Sequence, residues 1–142
     1  MADVVITIGL IALIAACAGP RLTRASAEKK LPAMVDELQR MRCQIELYRI
    51  EHDGLLPGQT APGEDVTCDA FIDALTESAA GGLAPYLREI PANPFIADDT
   101  ADDITIVNCM DIEPCGGGHT GWWFNVASGE FRANSSRFHS DY

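Results

Sequence analysis

No lysine or arginine stands between Met1 and Ile14. A secretory signal opens with a positive segment before its apolar core, so this absence argues against one, and Asp3 argues the same way. Basic residues are scarce throughout: 10 Lys and Arg face 21 Asp and Glu, for a formal net charge of -11. The imbalance is local, with 7 basic against 5 acidic side chains in residues 1–49 and 3 against 16 in residues 50–142. Such an acidic second part repels nucleic acid, which is excluded as a partner. No C-x-x-C pair occurs and His52, His119 and His139 are scattered, which speaks against zinc. The serines and histidines form no recognisable nucleophile arrangement, so no catalytic residue, no enzyme activity and no cofactor are expected. Neither a repeat nor a low-complexity tract is present. A chain of 142 residues suits one modest domain with an appendage better than two cores.

The appendage is the first stretch. Val4 to Ala18 is apolar except for Thr7 and Gly9. As a helix it would span roughly 22 Å, short of the ~30 Å bilayer core, and adding Met1, Ala2 and Leu22 makes a marginal membrane span. Within it, Ile14-Ala15-Ala16-Cys17 looks like a lipobox, the motif at which a lipoprotein is cut and acylated on cysteine. That alternative is a lipid- or membrane-anchored extracytoplasmic binding domain.

Beyond Pro20 the apolar residues become periodic. Leu31, Met34, Leu38, Met41, Ile45 and Tyr48 recur at steps of three and four, with Asp36, Glu37, Arg40 and Glu46 between them. The pattern predicts an amphipathic helix to about Glu51, closed by Asp53-Gly54, whose stripe must be buried. Pro20 and Pro32 favour bends or local breaks. Leu55 to Asp65 reads as a loop, Cys68 to Ala80 as a short helix capped near Thr67 and stopped by Gly81-Gly82, and Leu83 to Ile90 as a further helical turn. Ile104 to Val107, Trp122 to Val126 and Glu130 to Ala133 have strand composition, the last two joined by a plausible hairpin turn at Ala127-Ser128-Gly129. The expected class is α+β: one long N-terminal helix, hydrophobic then amphipathic, packed on a small antiparallel sheet. The division expected is 1–26 as the hydrophobic helix and 27–142 as the globular head. Trp122 and Trp123 should point to opposite faces, one to the core and one to the surface or a subunit contact.

Cys17 lies in the apolar run and Cys43, Cys68, Cys109 and Cys115 lie outside it. An even outer set suggests two disulfides and an oxidising compartment. Cys109 and Cys115 enclose a tight loop and Cys43 could reach Cys68, although four cysteines allow three connectivities. Asp98, Asp99, Asp102 and Asp103 could hold calcium, but they read better as a solvated loop, so no metal ligand is assigned.

Asp3 and Pro20, seventeen residues apart around VVITIGLIALIAACAG, and the sequel PRLTRASAEKKL resemble type IV pilins and the major pseudopilins of type II secretion. "LYRIEHDGLLPG", "YLREIPANPF" and "GWWFNVASGEFRAN" look like that family's head segments. Asp3 sits two residues earlier than in the family. The resemblance implies a mature chain cut from a basic leader, a pilin-like fold, and a structural subunit forming a helical homopolymer. It also implies assembly machinery in the inner membrane, storage in that membrane before assembly, and an extracellular or periplasmic filament afterwards. In this reading Asp3 pairs with the amino terminus of a neighbouring subunit, because a carboxylate in apolar surroundings is costly unless paired. Gly9 and Pro20 bracket a segment that loses helix in the filament.

Overall fold

The computed structural model describes residues 29–77 and 84–142. Backbone contacts divide the chain into two units, Met1–Ala33 and Met34–Tyr142. Of the first, only residues 29–33 are described, as helix. The second is the head.

The periodic stripe forms the predicted helix, α1, at residues 29–51. Met34, Leu38 and Met41 are wholly buried, and Ile45 and Tyr48 nearly so. Asp53, at positive φ, and Gly54 then turn the chain, with the Gly54 amide donating to the Arg49 carbonyl. Helix α2, Cys68–Thr76, starts where the Thr67 hydroxyl oxygen accepts from the Ala70 amide and buries Phe71 and Leu75. It ends at Thr76, with Glu77 extended, and residues 78–80 of the expected helix lie outside the described residues. Residues 84–90 are irregular rather than helical, in keeping with Pro85, which lacks an amide donor.

Three strands follow: β1 Ile104–Val107, β2 Trp122–Asn125 and β3 Glu130–Ala133, in the order β1-β2-β3. Strands β2 and β3 form the expected hairpin, with Phe124 opposite Phe131 and Gly129 closing the turn at φ +75°. The sheet is nevertheless not antiparallel. β1 runs parallel to β2, so the sheet is mixed. The reason is the connection: residues 108–121 contain the dozen or more residues that a parallel return requires, where an antiparallel pair would use a tight turn.

This crossover also explains a second difference. Both tryptophans are buried, not one. Trp122 and Phe124 lie on the face that meets Phe71, whose ring is 4.6 Å from that of Phe124, and the Trp122 indole N–H donates to the Pro91 carbonyl at 2.7 Å. On the other face the crossover is pinned residue by residue. Thr105 and Thr120 share a hydrogen bond at 2.8 Å, Asn125 donates to the Cys109 carbonyl at 2.9 Å, and Arg132 pairs with Glu113 at 2.6 Å. Arg132 lies 5.9 Å above the Trp123 ring and closes it off from solvent.

The expected long helix, hydrophobic then amphipathic, is corrected as well. The described helix is the amphipathic part alone, and among the described residues no helix is long and apolar enough to cross a membrane. The run Val4 to Ala18, and with it the hydrophobic half of the expectation, lies outside the described residues.

Candidate functional site

Asp3, Gly9 and Pro20, the expected assembly residues, lie outside the described residues. The four outer cysteines are described, and all are free. Two disulfides were expected, and the geometry excludes both proposed pairs. Cys43 lies between buried Met41 and Ile45, two positions from each, which turns it to the outer side of α1. Cys68 faces inward, its thiol donating to the Ile104 carbonyl at 3.4 Å, and burial pushes its pKa up. Cys109 and Cys115 are splayed, because the crossover holds the Cys109 carbonyl on Asn125 while the Cys115 thiol turns toward Asn134. Among the described residues no group of three His, Cys, Asp or Glu side chains could hold a metal. Asp98, one of the acidic loop, accepts from the Thr100 hydroxyl at 2.8 Å.

Both edges of the sheet are covered. Beside β1, the Asn108 carboxamide accepts from the Val66 amide at 3.0 Å and donates to the Val66 carbonyl at 3.3 Å, while Cys68 caps Ile104. Beside β3, Arg42 of α1 donates its Nε to the Phe131 carbonyl at 2.9 Å. Its second nitrogen donates to the Tyr142 main-chain oxygen. Burial, and then the nearby Arg132, lower the Arg42 pKa, while Glu130 opposes them. Between α1 and β3 runs a groove of about 400 Å³ lined by Arg42, Ile45, Glu46, Gly129, Glu130, Phe131 and Arg132. It carries both signs of charge, so it has no preference for an anion or a cation. Covered edges resist strand-to-strand association of heads.

The structure assembles one polar constellation that the sequence did not show. Asn93 is wholly buried. Its Oδ1 accepts from the Phe95 amide at 3.0 Å, and its Nδ2 donates to the Gly121 carbonyl at 2.8 Å and to Ser135 Oγ at 3.4 Å. Ser135 Oγ lies 2.8 Å from His139 Nδ1, and the imidazole packs at a tilt against Phe95 with ring centroids 4.0 Å apart. Burial lowers the His139 pKa. The glycine run beside it is a clasp. The Gly116 amide donates to Asn134 Oδ1 and the Gly118 amide to the Asn134 carbonyl, both glycines at positive φ. A Cβ at Gly116 would lie 2.4 Å from the Arg137 nitrogen. Serine beside histidine invites comparison with a hydrolytic dyad, but among the described residues no carboxylate is bonded to His139 to orient it. The four-residue step from Ser135 to His139 is the signal in the sequence. Asn93, forty-odd residues earlier, could not be tied to it without the fold.

Comparison with protein-family models, with curated proteins and with solved structures gives no match for this chain.

Proposed function

We propose that the chain is a structural subunit that polymerises through its apolar N-terminal segment into a filament of the type IV pilus or secretion pseudopilus kind. The observation that carries this reading is the division of apolar residues. The α1 stripe is consumed in the head's own core, whereas Val4 to Ala18 forms a separate apolar block in the sequence. Small residues in that block (Gly9, Ala12, Ala15, Ala16 and Ala18) let segments from several copies approach closely. The covered sheet edges agree with a head that is carried on the filament rather than joined strand to strand. In this reading the partners are further copies of the chain and the assembly machinery of the inner membrane, which holds the subunit before assembly. The filament then stands outside that membrane.

Asp3 gives the test. Asp3→Ala leaves the head intact, so filament yield should fall sharply while the amount of folded protein is unchanged. Undiminished yield refutes the role of Asp3. Mass spectrometry of the same material separates the anchored alternative suggested by the lipobox-like residues: a diacylglyceryl group on Cys17 would replace the filament reading.

A further inference from the structure

The glycine run that holds Asn134 also brings a thiol and an imidazole to one opening. Cys115 and His119 are both exposed and stand on either side of Gly117. A Cβ at Gly117 would meet both at once, with Cys115 Sγ at 3.5 Å, His119 Nε2 at 3.5 Å and His119 Cδ2 at 3.0 Å. Glycine has no such atom, so the two reactive atoms border the same open space. Asn134 holds the arrangement from below. Its Oδ1 accepts from the Gly116 amide at 3.1 Å and, through a long and weak hydrogen bond of 3.9 Å, from the Cys115 thiol. Asn134 is itself buried and donates its Nδ2 to the Thr120 hydroxyl at 2.8 Å, next to His119. We propose that Cys115 is a modification site for low-molecular-weight disulfides, with His119 as the group that takes the thiol proton.

A thiol attacks as its thiolate, so an acceptor for the proton beside the sulfur sets the rate. His119 Nε2 offers a lone pair in the tautomer that carries its hydrogen on Nδ1. One bridging water, or a rotation of either exposed side chain, completes the path from sulfur to nitrogen. A bond then forms between Cys115 Sγ and one sulfur of the disulfide, and the disulfide's own bond breaks. The bonding pair leaves with the other sulfur, which takes the proton back from His119 and departs as a thiol, so no further oxidant is needed. The other described thiols lack this setting. Cys68 is partly buried, donates to the Ile104 carbonyl and has its pKa raised by burial. Cys43 and Cys109 are exposed, but among the described glycines Gly117 alone has both a thiol and an imidazole as nearest neighbours on its open side.

The probe is dithiodipyridine, an uncharged aromatic disulfide, added to the full chain in limiting amount and quenched in acid. Peptide mapping by mass spectrometry then gives the rate at each cysteine. Cys115 should react roughly tenfold faster than exposed Cys43 and Cys109, a modest share of what a positioned proton acceptor supplies. In His119→Gln the Cys115 rate should fall to that of Cys109. Gly117→Ala places a methyl between thiol and imidazole at a position that is not left-handed, and it should slow Cys115 likewise. Cys68 should stay slow in both variants, which reports that the head is folded. Equal rates at Cys115 and Cys109 in the wild-type chain, or a Cys115 rate unchanged in either variant, overturns the proposal.

Discussion

A methyl group added at Gly121 would lie 1.8 Å from the Ala101 carbonyl oxygen and 3.2 Å from the Asn93 side chain. Neither neighbour is free to move. The Ala101 oxygen accepts from the Asn93 amide, and the Gly121 amide and carbonyl are themselves bonded to Thr100 and Asn134. Gly121→Ala should therefore destabilise the head by about 3 kcal/mol or more through forced backbone displacement. Chemical denaturation checks this, and a loss below about 1 kcal/mol would show that the 93–101 loop yields easily. Tyr86 gives a pH-dependent counterpart. Burial first, and then the Glu51 carboxylate that accepts its hydroxyl, raise its pKa from 10.0 to about 12. The folded state holds this proton more tightly, so the contribution is present below 10.0 and disappears as the pH rises through about 12. In a spectrophotometric titration Tyr86 should ionise well above the ordinary 10.0, and Tyr86→Phe should remove that late step; a Tyr86 step near 10.0 would contradict it.

At the scale of elements, α1, α2 and β3 were legible because each carries a local signal: a stripe at helical spacing, a threonine cap, a glycine turn beside alternating residues. Leu38→Ala in the stripe should cost about 2–5 kcal/mol because Leu38 is wholly buried. Thr67→Ala should cost about 1 kcal/mol, the worth of one cap. A Leu38 effect no larger than the Thr67 effect, compared by thermal or chemical melts, would mean that the stripe is not the core. The direction of β1 was not legible by composition, since Ile-Thr-Ile-Val suits either orientation. It is encoded in residues 108–121, a connection too long for a hairpin and held on the second face through Thr120, Cys109 and Glu113. The same connection decides the burial of Trp123. Cys43 was misread because cysteine parity outweighed helical phase: a residue two steps from Met41 and from Ile45 cannot share their face.

For the whole molecule, the polar network around Asn93 depends on contacts far apart in the chain and was invisible in the sequence. Because the head's core is drawn from residues 34 onward among those described, residues 27–142 should fold as a soluble acidic monomer. With the outer cysteines free, its thermal melt should not change with reductant. A reductant-sensitive melt would restore a disulfide, and an unfolded product would show that the head needs its neighbours. Electron microscopy of the full chain beside residues 27–142, prepared identically, tests the central claim most directly. The account predicts filaments from the full chain and dispersed particles from the shorter one. Filaments from both would place assembly in the head, and filaments from neither would contradict a polymerising subunit.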